Sequence, residues 1–188
     1  MKSRKGPAGR ARTVTVFGSA RCLPGSSDYR RAYETGRLLA RAGFTVVNGG
    51  YGGIMEASAR GAKDAGGRTI AVVARFFRSE ANLSIDRKIT VGTPNERLMR
   101  LVELGDAYIV LKGGTGTLVE LLTVWEYANK GIQEDKPIVL IGPAWPALIR
   151  ALPRHLSGEG LTRAVRLIAF APGAADAVRI LSRRLKKG

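Results

Sequence analysis

Apolar residues in this chain fall in short continuous runs, separated by stretches where they recur every three or four positions. That is the pattern of strands alternating with amphipathic helices. Thr13–Phe17 is a β-branched run and predicts a strand, followed by Gly18-Ser19-Ala20-Arg21 and a loop containing Pro24-Gly25. Helical spacing covers 28–42 and stops at Gly43, a residue suited to the position after a helix. A second strand over 44–47 ends in Asn48-Gly49-Gly50-Tyr51-Gly52-Gly53, and a helix over 54–65 is closed by Gly66-Gly67. A third strand is predicted over 69–73. Residues 75–90 are less regular, with strand character at 88–91. A helix over 95–104, a strand over 107–111 and a helix over 117–129 follow, then a strand over 137–141 and a short helix over 145–152. Ala174–Leu185 reads as a terminal helix.

Strands and helices in this alternation predict an α/β fold: a Rossmann-like, doubly wound parallel sheet with helices on both faces. Ligands of such sheets bind beyond the carboxyl ends of the strands, where the strand order reverses. Three glycine-bearing turns stand at strand ends here, after residues 17, 47 and 111, and are expected to converge on one rim.

The richest of these turns is Gly113-Gly114-Thr115-Gly116-Thr117-Leu118-Val119-Glu120. A strand that passes through glycines and threonines into a helix presents backbone N–H groups at the positive end of the helix dipole, a natural seat for phosphate. Glu120 falls in the first turn of the expected helix, which suits the dipole but places an acid beside the anion. A plainer reading remains beside this one, in which the glycines serve the turn and Glu120 only the dipole. The generic nucleotide fingerprints are missing. There is no G-x-x-x-x-G-K-[ST] loop, and the third position after Gly114 and Gly116 is Val119 rather than the glycine of a dinucleotide site.

The order Gly49-Gly50-Tyr51-Gly52-Gly53-Ile54-Met55, Asn95-Glu96-Arg97, then Gly113 to Glu120 resembles the Lonely Guy (LOG) family over residues 13–142. Its hallmark is P-G-G-x-G-T-x-x-E with an arginine upstream, and many members were once labelled lysine decarboxylases. The resemblance implies a Rossmann-like homodimer that hydrolyses nucleoside 5′-monophosphates, cytokinin-type ones among them, to free base and ribose 5-phosphate. It makes Arg97 and Glu120 the catalytic pair. Ser19, Gly114, Thr115, Gly116 and Thr117 would hold the phosphate, and Gly50, Gly53 and Met55 would line the base and ribose. Two residues depart from the pattern: Lys112 stands in place of the proline, and Glu56 where many members have glycine. Both bear on substrate identity, and they keep open a relative that binds nucleotides as a sensor or carrier without turnover.

Such chemistry has a physical basis of its own. Breaking a ribose–base bond builds positive charge on the sugar, which a fixed carboxylate stabilises while accepting a proton from water. Without the family spacing, however, Arg97 reads as a surface residue of the 95–104 helix. Met55 and Ser19 have equally ordinary packing readings, and Trp125 and Tyr127 read as packing or dimer contacts.

Length and composition narrow the classes further. The 188 residues suit one domain, read as a basic arm over 1–12 and a nucleotide-binding domain over 13–188. The formal charge of +16 looks like nucleic-acid binding, but ten of the cations lie in the two tails and the body carries only about +6. Specific nucleic-acid recognition is therefore not the expected role. No run is long and apolar enough for a membrane span or a signal peptide, and Cys22 is alone, so a cytoplasmic location is expected. One histidine, His155, and one cysteine make poor material for a metal site. A pyridoxal phosphate enzyme would need a Schiff-base lysine and a partner for the ring nitrogen. Neither a metal nor an organic cofactor is expected.

Overall fold

Alternation within each strand sends successive side chains to opposite sheet faces, and in this chain both faces are apolar. Val14 and Val16 enter one hydrophobic layer while Phe17 enters the other, and Ile109 and Leu111 are likewise divided from Tyr108 and Val110. A sheet greasy on both sides needs helices on both sides. The computed structural model describes residues 11–77, 80–133, 136–155 and 166–185. Of the basic arm expected over 1–12, residues 1–10 lie outside that range, as do the terminal Lys186 and Lys187; Ala11 and Arg12 are exposed coil.

The elements run β1 (Thr13–Phe17), α1 (Ser27–Arg41), β2 (Thr45–Asn48), α2 (Ile54–Asp64), β3 (Thr69–Ala74), a 3₁₀ turn (Arg75–Phe77) and β4 (Arg87–Val91). Then come α3 (Pro94–Leu104), β5 (Ala107–Val110), α4 (Thr115–Asn129), β6 (Ile138–Ile141), α5 (Ala144–His155), β7 (Ile168–Ala171) and α6 (Ala174–Leu185). All the strands pair in parallel, in the order β4-β3-β2-β1-β5-β6-β7. Helices α1, α2 and α6 cover one face through Leu39, Ala57 and Leu181, and α3, α4 and α5 cover the other through Leu101, Leu121 and Ile149. The chain winds outward from β1 to β4, then returns to place β5 on the far side of β1. The reversal therefore lies between β1 and β5, where Phe17 stands beside Val110.

Two sequence expectations are revised. β7 was not foreseen: Ile168–Ala171 is a four-residue strand containing two alanines, a weak β signal that only pairing with β6 turns into a strand. Helix α4 begins at Thr115, not 117, with Gly114 as its N-cap. Glu120 is thus the sixth helical residue and lies beyond the first turn, where the dipole acts most. The dipole reading of Glu120 fails.

Helices α1 and α2 approach closely enough to need glycine. A Cβ on Gly36 would overlap the Ser58 carbonyl, and one on Gly61 would overlap that of Tyr33. This contact fixes α2 against α1.

Candidate active site

The three glycine-bearing turns meet at the carboxyl rim and enclose one cavity of about 510 Å3. The first turn is stitched to the others by its own backbone. Ser19 donates its N–H to the Lys112 carbonyl at 3.1 Å, and the Ser19 carbonyl accepts from the Ile54 N–H at 2.9 Å. Ser19 also accepts from the Arg21 N–H through its hydroxyl at 3.0 Å, which closes the turn so that Gly18 to Arg21 all line the cavity.

Asn48, fully buried at the end of β2, organises the second turn. Its side-chain oxygen accepts from the Gly50 N–H at 2.8 Å, and its amide donates to the Met55 carbonyl at 2.8 Å and the Ser58 hydroxyl at 3.2 Å. One side chain thereby ties the glycine loop to the first turn of α2. Gly50 and Gly53 adopt positive φ, +79° and +66°. They shape this loop rather than line the cavity, which is reached from this side by Tyr51 and Met55. Asn82 closes the loop from outside, donating its amide to the carbonyls of Gly50 and Tyr51.

Arg97 enters from α3. Thr93 caps that helix by accepting from the Glu96 N–H at 3.2 Å, and Pro94 starts it without an N–H to satisfy. The Arg97 side chain is only 13% exposed. Its Nε donates to the Val72 carbonyl at 3.0 Å, its Nη2 lies 3.7 Å from the Met55 sulfur, and its guanidinium stands 5.2 Å from the centre of the Tyr51 ring. A Cβ on Gly49 would overlap Nη2, so that glycine provides the space the guanidinium fills. Beyond it, Nη1 reaches to 3.7 Å from Glu120 Oε1.

Helix α4 supplies the third wall. Its first intrahelical bond runs from the Leu118 N–H to the Gly114 carbonyl, so the N–H groups of Thr115, Gly116 and Thr117 have no partner within the helix. No side chain caps this end. Gly113, Gly114 and Gly116 all lack positive φ, so the turn does not demand glycine for its dihedrals. Gly113 is crowded by Thr117, whereas a Cβ on Gly114 or Gly116 would meet nothing within 4 Å. Those two glycines leave open space above the helix terminus. Glu120, on the same helix and 15% exposed, has its pKa pushed up to about 7 by burial, against the opposing pull of Arg97. It is an acid poised to exchange a proton near neutrality, as general acid–base groups are.

All the residues the sequence put forward for catalysis and for phosphate line this cavity, as does Met55. Lys112 and Glu56 do not. The Lys112 ammonium is 73% exposed and turns to Asp28, 3.6 Å away, while Glu56 is a half-buried residue in the first turn of α2. Trp125 is buried in the core and Tyr127 packs beside it, its hydroxyl 3.6 Å from the Met99 sulfur. Among the described residues no group of three or more His, Cys, Asp or Glu could hold a metal ion, and no helix is long and apolar enough to cross a membrane.

Sequence reasoning gave no role to Asn48, Arg21 or Phe77, and placed Gly49 only in the loop expected to line the base and ribose. Asn48 had a usable signal, an asparagine just before glycines at a strand end, where it bonds its own backbone two residues on. Phe77 had none, and the space Gly49 leaves for Arg97 could not be read locally, since their neighbours come from distant segments.

Residues 11–155 match the SLOG cluster4 family. A protein of Archaeoglobus fulgidus is 34% identical over 129 residues, covering 69% of this chain and 83% of its own length. A cytokinin riboside 5′-monophosphate phosphoribohydrolase of Mycobacterium tuberculosis is 38% identical over 115 residues, which span 60% of this chain and 61% of that enzyme. The molybdenum cofactor binding protein of Rippkaea orientalis superposes with a TM-score of 0.75 at 24% identity, over 95% of this chain and 99% of that one. At that identity the likeness is one of fold.

Proposed function

The chain belongs to the SLOG cluster4 family, and on that footing we propose that it hydrolyses the N-glycosidic bond of nucleoside 5′-monophosphates, cytokinin-type ones among them, to free base and ribose 5-phosphate. The observation that carries this reading is a carboxyl group with a pKa near 7, paired with an arginine, in the same cavity as a helix terminus open to phosphate. The M. tuberculosis relative, named for that activity, supports it at moderate identity.

The 5′-phosphate sits on the N–H groups of Thr115, Gly116 and Thr117, with Ser19 facing it from the first turn and Arg21 adding charge. This remote anchor holds C1′ of the ribose near Glu120, so that phosphate binding energy positions the reacting carbon. Departure of the base leaves positive charge on the ribose. The Glu120 carboxylate stabilises that charge and takes a proton from the attacking water, whose oxygen bonds to C1′. The electron pair of the broken C1′–N bond leaves with the base, which gains a proton. Arg97 keeps Glu120 ionised more often than burial alone would allow.

A homodimer is part of the proposal. Val119 and Leu122, three residues apart on the outer side of α4, are 52% and 49% exposed, and two apolar side chains in water one turn apart favour cover by a second copy.

Incubation with a panel of nucleoside 5′-monophosphates, followed by chromatography for free base and ribose 5-phosphate, tests the reading. Release of base supports it. Nucleotide binding with no product would replace it with the carrier reading.

A further inference from the structure

Phe77 closes the 3₁₀ turn after β3 and lines the cavity, yet 46% of it is exposed. A phenylalanine serving only the core would be buried, because exposed apolar area is unfavourable. Its ring is held in place all the same. Tyr51 meets it at 5.8 Å with the ring planes at 82°, and Phe76 meets it at 5.4 Å and 86°. Tyr51 is itself fixed, its hydroxyl accepting from the Ala74 N–H at 3.2 Å and its ring covered by the Arg97 guanidinium. The result is a partly bare aromatic surface in the cavity that also holds Arg97, Glu120 and the open helix terminus.

Its position along the rim is informative. The strand order places the β3 end three strands from the β5 end, about 14 Å at the usual strand spacing. The open helix terminus follows β5, Phe77 follows β3, and Arg97 bridges from the Val72 carbonyl of β3 toward Glu120 of α4. An extended nucleoside monophosphate has the same order and a similar length: phosphate, scissile C1′–N bond, base.

We infer that Phe77 is the platform on which the nucleobase stacks, with Tyr51 and Phe76 packed against its ring edge-to-face. The inference rests on the proposed nucleotide substrate and adds the residue that recognises the base. Stacking on an aromatic face is strong and tolerant of base identity, because every base has a π-face. Phe77 therefore contributes affinity for the base as such.

The test uses the full chain with Glu120→Gln, so that no turnover consumes the ligand, and measures binding by calorimetry with and without Phe77→Ala. Adenosine 5′-monophosphate and ribose 5-phosphate, which lacks the base, are the two probes. Phe77→Ala should weaken the nucleotide about ten-fold, within the range seen for base–aromatic stacking, and leave ribose 5-phosphate within about two-fold. Phe77→Trp should restore nucleotide affinity. Equal weakening of both probes, or of neither, would overturn the inference and assign the exposed ring to the fold or to a protein surface. Nucleotide that binds with this contrast but is not cleaved by the unsubstituted chain would leave the platform standing and remove the hydrolase. No nucleotide binding at all would remove both.

Discussion

Glu120→Gln should make the protein more stable at pH 8 while removing its proposed activity. The carboxyl group is 15% exposed, and burial raises its pKa from 4.5 to about 7. Between those values the folded state keeps a proton that the unfolded chain has lost. Stability therefore falls as pH rises from about 4.5 to about 7, and the loss is complete above that window. Each pH unit in the window contributes about 1.4 kcal/mol, so at pH 8 the ionised acid makes the fold about 3 kcal/mol less stable than a protonated one. Glutamine has the shape of the protonated acid and never ionises. In a domain of this size the gain is an upward shift of about 6–12 °C in melting temperature at pH 8. The gain should shrink steadily with pH and vanish near pH 4.5. Melting curves of both proteins from pH 4.5 to 8 read the effect directly. A Glu120→Gln protein that melts at or below the original at pH 8, or a difference indifferent to pH, would refute the claim that Glu120 is a destabilised acid.

Four further predictions concern the supporting residues. Gly49→Ala should cut turnover about 100-fold by displacing the Arg97 guanidinium, with the melting temperature little changed because the clash is with the end of a long side chain; steady-state kinetics beside a melt would check both. Gly36→Ala, which in an open helix would stabilise by about 1 kcal/mol, should instead destabilise by about 1–2 kcal/mol through its overlap with the Ser58 carbonyl, as urea unfolding would show. Asn48→Ala should lower unfolding free energy by about 2–4 kcal/mol in the same assay, since it strips partners from buried groups of the glycine loop. Lys112→Ala should change stability by less than about 0.5 kcal/mol and leave KM within about two-fold, because its exposed pairing with Asp28 is weak and its ammonium lies off the cavity.

The alternating fold was legible because both kinds of element carry strong local signals: β-branched runs such as Thr13–Phe17 and helical spacing with a glycine stop, as before Gly43. Convergence of the three turns followed from the topology that the alternation implies. What escaped was set by tertiary contact. β7 is too short and alanine-rich to announce itself, whereas β4 was signalled only weakly over 88–91, since it carries exposed Arg87 and Lys88 at the sheet edge, where charge prevents further pairing. Within the site, Glu120 was found, but the expected start of α4 lay two residues late and left a dipole reading open beside the catalytic one. The raised pKa of Glu120 comes from burial that no local window encodes. The direction of the Lys112 side chain was hidden for a similar reason, since only the packed structure shows it turning toward α1.

The most direct test of the central claim is single-turnover base release from adenosine 5′-monophosphate and an isopentenyl-adenosine monophosphate at pH 8, by the native chain and by Glu120→Gln. The account predicts free base and ribose 5-phosphate from the native chain with at least one of the two. It also predicts that Glu120→Gln binds the nucleotide and releases base at least about 100-fold more slowly. Bound nucleotide that stays intact on the native chain, or equal release by both proteins, would contradict it.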